Sequence, residues 1–295
     1  MGYHSVDELV HLAEEKGVRI SDVVLGEEVA SSGLAPEEVR EKMRRNLAVM
    51  REALRKGLSE GTRSASGLVG GGARRLKERE AGKKTLTTDL ARVIAGALAV
   101  SEVNAAMGRI VAGPTAGSAG VLPGVLLPMA EKFDVGEEAL LMSLFTAAGV
   151  GKIITEKATV AGAEGGCQAE CGSASGMAAA ALVELAGGTP RQAAQAMAIA
   201  LKNLLGLVCD PVAGLVEVPC VKRNAGAAAN AVTAAEMALA GIESVIPPDE
   251  VIEAMASVGR LLPPQLKETA EGGLAATPTG RRIQRQLMGK EERKG

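Results

Sequence analysis

Aromatic residues are almost missing from this chain of 295 residues, which has one tyrosine, two phenylalanines and no tryptophan. Proteins that bind nucleic acids stack aromatic side chains on bases and neutralise phosphates with clustered basic residues. The formal net charge here is −2 at pH 7. The composition therefore argues against a nucleic-acid partner. It also disfavours strands, in which aromatic and β-branched residues are enriched.

A signal peptide and an uninterrupted membrane-spanning segment are also lacking. The first eight residues, MGYHSVDE, contain no basic stretch followed by an apolar one. The longest uncharged run, residues 110–130, is long enough to cross a bilayer, but its three prolines and four glycines weaken a helix. We interpret this run as a loop followed by a broken, buried helix. We expect a soluble, cytoplasmic protein without a membrane partner.

Histidine is scarce as well, because the chain has only His4 and His11, both near the N-terminus. A metal site built on imidazoles is therefore not expected, and the four cysteines are the remaining candidate ligands. Thiols stay reduced in the cytoplasm. We accordingly expect free thiols or metal ligands rather than disulfides.

Abundant alanine and glycine favour closely packed helices. Two short helices are predicted in the first thirty residues, where Ser5 and Glu8 form a capping box for the first and Ser21 begins the second. A long amphipathic helix follows from about Pro36, because apolar residues recur there at spacings of three and four.

From Thr88 onward, helix is predicted almost to the end of the chain. Thr189-Pro190 is an N-cap followed by proline at the first helical position. Pro247-Pro248 begins a further helix, and Pro263-Pro264 ends it. No segment alternates between apolar and polar residues as a half-buried strand does. The expected fold class is all-α.

The cysteines are the strongest chemical signal in the sequence. Cys167 and Cys171 lie in GGCQAECG, Cys209 in GLVCDP and Cys220 in EVPCV. Each motif contains a glycine or a proline and interrupts helical sequence, whereas inert thiols are expected inside helices. The spacing from Cys167 to Cys171 resembles half of a zinc site, but the gap from Cys209 to Cys220 is too long for the other half. Both zinc and an iron–sulfur cluster are compatible with these cysteines.

Two glycine-rich segments are the other chemical candidates. Residues 64–72 (SASGLVGGG) either line a ligand site or form a flexible linker, because no periodic helix immediately follows them. Residues 113–120 (GPTAGSAG) offer backbone N–H groups and two hydroxyls ahead of an apolar stretch. They form either a carboxylate or phosphate cradle or a turn that lets helices pack closely.

Five stretches carry a resemblance to a known family. They are residues 66–71 (SGLVGG), 113–120, 163–170 (AEGGCQAE), 206–224 (GLVCDPVAGLVEVPCVKRN) and 272–280 (GGLAATPTG). In these stretches the sequence resembles the iron–sulfur-dependent L-serine dehydratases, in their form with separate α and β chains. The matching stretches extend from about residue 60 to residue 280, which is most of the chain.

The resemblance implies a [4Fe-4S] cluster held by Cys167, Cys209 and Cys220. Cys171 departs from the family pattern, which usually has a small apolar residue there, so it receives no ligand role.

The implied reaction converts L-serine to pyruvate and ammonia. Three thiolates leave one iron open as a Lewis acid for the serine hydroxyl, while a base removes the α-proton. The implied partner is a β chain, because single-chain members begin with a region rich in serine and histidine that is missing here.

For the substrate pocket, the resemblance implies the loop of residues 113–120 around the carboxylate of L-serine, with the loop of residues 66–71 beside it. The pocket residues are Thr115, Gly117, Ser118, Ser66 and Gly67. Lys222, Arg223 and Asn224 are either further carboxylate ligands or structural residues. The general base is left open: Glu164, Glu170, Lys157 and Lys222 lie near the cysteine motifs, and the β chain is another source.

The domain prediction has three parts. Residues 1–60 form a helical N-terminal region, and residues 61–280 form a helical catalytic iron–sulfur domain with cluster-binding loops between helices. Residues 281–295 form a basic tail, which we interpret as solvated. Its basic residues are Arg281, Arg282, Arg285, Lys290, Arg293 and Lys294.

Two other functions fit part of the sequence. A pyridoxal-phosphate serine or threonine dehydratase would use residues 113–120 as a phosphate cradle and a lysine as a Schiff base, but the strand pattern of such enzymes is missing. A metal-stabilised helical scaffold subunit would explain the thiols and leave the two glycine-rich loops unexplained.

Overall fold

A computed structural model gives the structure of residues 2–59 and 62–291. Within these residues the chain folds into thirteen α-helices joined by loops and short turns, and no residue belongs to a β-strand. Two isolated β-bridges, Arg63 with Gly70 and Cys209 with Lys267, are the only extended pairings in these ranges. The all-α prediction is confirmed.

The first three helices are α1 (Val6–Lys16), α2 (Ile20–Ser32) and α3 (Pro36–Ser59). The Ser5 side chain accepts a hydrogen bond from the Glu8 amide at 3.0 Å, so Ser5 caps α1 as predicted. The reciprocal bond of the predicted capping box is replaced, because the Glu8 carboxylate accepts from the His4 amide at 2.7 Å. The predicted start of α2 is one residue late, because the helix begins at Ile20 after the N-cap Arg19, whose amide donates to the Asp22 carboxylate. Ser21 lies inside the helix and is buried.

Helix α4 (Gly72–Ala81) follows the glycine-rich segment directly, where the sequence predicts no periodic helix. Ala73 is its only buried side chain, so α4 lacks the apolar stripe that would reveal it. Its first amide, that of Gly72, donates to Glu102 at 2.7 Å. Glu102 belongs to α5 (Thr88–Ala105) and supplies the negative charge that a helix N-terminus favours.

The centre of the molecule is α9 (Ser173–Leu185), in which every residue but Glu184 is buried. Packed around it are α6 (Val121–Phe133), α7 (Glu137–Lys157), α10 (Pro190–Lys202) and α11 (Cys220–Leu239). The remaining helices are α8 (Gly162–Gly165), α12 (Pro248–Leu261) and α13 (Pro278–Glu291). Small residues bring these helices close together: a Cβ on Gly124 of α6 would lie 2.5 Å from the Ala97 amide nitrogen of α5.

Within the described ranges, one helix, α7, has the length and hydropathy to span a membrane. Its apolar window is 72% buried inside the protein, as expected for a core helix. The uncharged run of residues 110–130 forms a loop with a short 3-10 turn (Ala116–Ser118) and the mostly buried helix α6, which contains Pro128.

The helices of residues 1–60 share one hydrophobic core with the later helices: Tyr3, Leu9 and Leu47 belong to the same buried cluster as Leu141. The predicted boundary between residues 60 and 61 lies outside the described residues. The predicted basic tail is helical in α13 up to Glu291. Its last basic residues, Arg293 and Lys294, also lie outside the described residues.

Candidate active site

Cys167 and Cys171 belong to one irregular turn that leads into α9. Cys167 precedes a π-helical turn (Gln168–Gly172), a backbone form that often marks functional sites. The buried Gln168 side chain donates to the Met255 carbonyl at 3.1 Å and accepts from the Gly206 amide at 2.8 Å. The turn that carries Cys167 is thus tied both to α12 and to the segment that leads to Cys209.

Cys209 lies in an extended segment held by backbone hydrogen bonds. Its amide donates to the Leu266 carbonyl, and its carbonyl accepts from the Glu268 amide, both at 2.8 Å. Next to it, the buried Asp210 side chain accepts from the Leu274 amide at 2.7 Å. Gly273 has a φ of +55°, and a Cβ there would overlap Asp210, so this close approach requires glycine.

Cys220 is the first residue of α11, and the residues after it connect this helix to two neighbouring segments. Arg223 lies 2.8 Å from Asp210 and donates to the Val208 carbonyl at 2.7 Å. Asn224, buried one turn after Cys220, accepts from the Gly120 amide at 2.9 Å and donates to the Gly117 carbonyl at 2.7 Å. This helix therefore fixes both the Cys209 segment and the loop of residues 113–120.

The four thiols are free, and they influence one another electrostatically. Burial, followed by the charges of Cys167 and Glu170, raises the pKa of Cys220 to about 12. Burial also raises the pKa of Cys209. The interaction of the two neighbouring thiols raises the pKa of Cys171 and lowers the pKa of Cys167.

Glu170 connects the cysteines to the glycine-rich loop. Its Oε1 accepts a hydrogen bond from the Thr115 hydroxyl at 2.8 Å, and its Oε2 lies 3.8 Å from the Cys209 Sγ. Burial raises the pKa of Glu170, while these two hydrogen bonds oppose the shift. A Cβ on Gly117 would lie 2.7 Å from Oε1 and one on Gly162 would lie 2.5 Å from Oε2, so glycine backbone covers the carboxylate on two sides.

The loop of residues 66–71 lies against the segment that precedes Cys220. The hydroxyls of Ser64 and Ser66 both donate to the buried Glu217 carboxylate. Ser64 in turn accepts from the Val69 amide at 3.3 Å. Gly67 has a φ of +80°, a left-handed conformation that favours glycine.

Three of the sequence-predicted base candidates have other surroundings. Lys157 lies 3.3 Å from Asp249, with which it forms an ion pair. Glu164 is exposed and accepts from the Thr159 hydroxyl at 2.7 Å. Lys222 is exposed. Of the acidic candidates, only Glu170 contacts a cysteine side chain.

Comparison with known proteins relates these segments to one family. The sequence model of the family described as serine dehydratase alpha chain matches residues 15–275. The chain belongs to this family. The match includes the four cysteines and both glycine-rich loops, which are the segments that meet at the candidate site.

Relatives within the serine dehydratase family match almost the whole chain. The probable L-serine dehydratase alpha chain of Bacillus subtilis is 54% identical over 97% of this chain and 96% of its own length. The L-serine dehydratase alpha chain of Peptoniphilus asaccharolyticus is 46% identical over 95% of this chain and 97% of its own. Escherichia coli L-serine dehydratase 2 is 39% identical over 92% of this chain but only 61% of its own length.

Sequence reasoning missed several residues that shape the candidate site of this member of the serine dehydratase alpha-chain family. Gln168 and Glu217 lie inside the matching stretches, yet neither was singled out, because a polar residue in an irregular segment resembles a solvated one. Asn224 was grouped with two charged neighbours, and its contacts depend on a loop more than a hundred residues away. Glu102 lies inside a regular helix and carries no signal of its contact with α4.

Proposed function

We propose that this chain is the α chain of an L-serine dehydratase and that it converts L-serine to pyruvate and ammonia together with a separate β chain. The names of the two alpha-chain relatives and their near-complete overlap with this chain support the proposal. The E. coli relative is longer, since this chain covers 61% of it. We assign the additional sequence of such a relative to the separate β chain here.

The observation that carries the proposal is the contact between three separate segments that each carry a cysteine. Cys167 precedes the π-helical turn, Cys209 lies in an extended segment and Cys220 begins α11. The charge of Cys167 raises the pKa of both Cys209 and Cys220. Glu170 and its partner Thr115 join this group to the loop of residues 113–120.

We propose that Cys167, Cys209 and Cys220 hold a [4Fe-4S] cluster. The donor set fits, because buried thiols with raised pKa values become thiolates when a metal supplies the compensating charge. Among residues 2–59 and 62–291, no three His, Cys, Asp or Glu side chains are placed to bind one metal ion. A cluster takes one thiolate per iron and therefore spreads its ligands more widely than a single zinc ion.

When bound, such a cluster supplies a Lewis acid that assists loss of the serine hydroxyl group. We propose that the loop of residues 113–120 binds the substrate carboxylate through backbone amides. The buried Ser118 hydroxyl, which bonds the Gly113 and Thr115 carbonyls, would keep this loop in shape. Asn224 would hold this loop in place, because it bonds both Gly117 and Gly120. Thr115 and Gly117 would line the same side of the pocket.

We propose that Ser66 and Gly67 line the opposite side of the substrate pocket. Ser66 bonds Glu217, which lies three residues before Cys220, so this loop stays beside a candidate cluster ligand. We propose that the β chain supplies the general base, because Lys157 is paired with Asp249, Glu164 and Lys222 are exposed, and the remaining candidate, Glu170, already accepts from the Thr115 hydroxyl. We propose a cytoplasmic location, because all four cysteines are free thiols.

Anaerobic turnover tests the proposed function. The chain, with its β chain and with iron and sulfide supplied, should release pyruvate from L-serine without added pyridoxal phosphate. Exposure to air should abolish this release together with the visible absorbance of the cluster. A fully loaded cluster without serine-dependent pyruvate would contradict the proposal and favour a scaffold role or another hydroxy-acid substrate.

A further inference from the structure

Glu170 is a half-buried carboxylate without a cationic partner in the described part of the chain. No lysine, arginine or histidine within the described ranges lies within ion-pair distance of it. The guanidinium of Arg223, which lies in the same site, is engaged by Asp210 and the Val208 carbonyl. A carboxylate removed from water is costly unless a cation or several hydrogen-bond donors compensate it.

With a cluster bound to the cysteines, the Glu170 carboxylate would have even fewer hydrogen-bond donors. Its Oε2 has one polar neighbour, the Cys209 Sγ at 3.8 Å. A cysteine that binds iron does so as a thiolate, which has no proton to donate. Thr115 would then be the remaining donor to Glu170, and two negative groups would lie side by side. The charge of Glu268 adds to the negative potential at Glu170.

The substrate provides the missing charge. L-serine has a hydroxyl, a carboxylate and an α-ammonium group, and only the last is a cation with several hydrogens to donate. Glu170 is itself partly exposed, as are Thr115 and Gly117 beside it, so this residue is reachable from the surface. The Thr115 hydroxyl donates to Oε1 and holds the carboxylate in one orientation.

We infer that Glu170 binds the α-ammonium group of the substrate and selects amino acids over hydroxy acids that lack this group. The inference rests on the proposed function, because it assigns one group of L-serine to one residue of the site. It gives Glu170 a binding role that is separate from proton abstraction. Thr115 is a positioning residue in this arrangement, since it acts through Glu170.

The test uses a matched pair of ligands that cannot lose water. L-alanine carries the ammonium group and propionate lacks it, while their carboxylates and methyl groups correspond. Ligand-detected NMR titration of the anaerobic αβ enzyme gives both dissociation constants without turnover. The wild type should prefer L-alanine. Glu170→Gln should weaken L-alanine binding about tenfold or more, because a charge-assisted hydrogen bond is lost, and should leave propionate binding unchanged.

Glu170→Asp retains the charge and should preserve the preference for L-alanine, although with lower affinity. If Glu170→Gln fails to load a cluster, Thr115→Val provides the same test, because it removes the hydroxyl that orients the carboxylate. An equal loss of affinity for L-alanine and propionate, or no change in either affinity, would overturn the inference. Loss of turnover in Glu170→Gln with unchanged L-alanine binding would also overturn it and would assign Glu170 to the chemistry.

The same preparation separates this inference from the proposed function. Wild-type enzyme that releases no pyruvate from L-serine contradicts the proposed function. Wild-type enzyme that releases pyruvate but binds L-alanine and propionate equally contradicts only the role of Glu170.

Discussion

At the scale of single residues, Asn224 holds together two parts of the site that are far apart in sequence. Its side chain is almost fully buried and bonds the Gly120 amide, the Gly117 carbonyl and the Cys220 carbonyl. Loss of these contacts leaves buried backbone groups without partners, which costs more than the bonds themselves contribute.

Asn224→Ala should therefore lower the free energy of unfolding by roughly 3 kcal/mol. Urea unfolding followed by circular dichroism measures the change. Thr233→Ala is the matched control, because Thr233 lies on the same helix, is exposed and bonds only the Ala229 carbonyl. The control should change stability by no more than about 0.5 kcal/mol. Equal effects of the two variants would contradict the account of Asn224.

Glu102 predicts a pH dependence of stability. Its pKa is raised above the ordinary value of 4.5, chiefly by burial, although the Gly72 and Ala73 amides oppose the shift. A raised pKa means that the folded state holds this proton more tightly than the unfolded state does. The stabilisation is fully present below the unfolded pKa and is lost as the pH rises through the folded pKa.

Comparison with Glu102→Gln isolates this contribution, because glutamine does not titrate. As the pH falls from 7 toward 4.5, the wild type should gain stability relative to Glu102→Gln. Denaturant unfolding of both variants at each pH measures the difference, and acid effects elsewhere in the protein cancel. A difference that stays constant over this range would show that the Glu102 carboxyl titrates normally.

At the scale of secondary-structure elements, capped and amphipathic helices were predictable. Thr189 accepts from the Gln192 amide at 3.2 Å, and Pro190 begins α10, as the sequence indicates. Helix α4 could not be found in this way, because it has one buried residue and many charges. Its first amides bond Glu102 of another helix, and no local pattern contains that information.

Close helix packing predicts that alanine substitutions at two glycines change the stability of the protein in opposite directions. A Cβ on Gly124 would lie 2.5 Å from the Ala97 amide nitrogen, and backbone at that distance cannot move aside cheaply. Gly124→Ala should therefore destabilise the protein by about 3 kcal/mol. Gly226 of α11 is exposed, with nothing within 4 Å of an added Cβ. Gly226→Ala should stabilise the protein by about 0.5–1 kcal/mol, because alanine is the better helix former.

Thermal unfolding of both glycine variants provides the measurement. The midpoint should fall for Gly124→Ala and rise for Gly226→Ala. A rise for both would mean that helix propensity alone decides the effect and that α5 and α6 are less closely packed than described.

At the scale of the whole molecule, the candidate site depends on long-range contacts that the spacing of cysteines does not contain. Spacing alone favours a Cys167–Cys171 pair, and each of these two thiols shifts the pKa of the other. The Gln168 side chain bonds Gly206 and so brings in Cys209, while Arg223 donates to the Val208 carbonyl and so brings in Cys220. The resemblance pointed to Cys167, Cys209 and Cys220 through flanking residues, and their role as ligands stays a prediction.

The direct test of that prediction is the cluster content of four single variants. Iron, sulfide and visible absorbance are measured after anaerobic reconstitution of Cys167→Ser, Cys171→Ser, Cys209→Ser and Cys220→Ser. Cys171→Ser should keep the full cluster, and the other three should lose it. Loss of the cluster in Cys171→Ser, with retention in Cys209→Ser or Cys220→Ser, would contradict the account and place the metal at the Cys167–Cys171 turn.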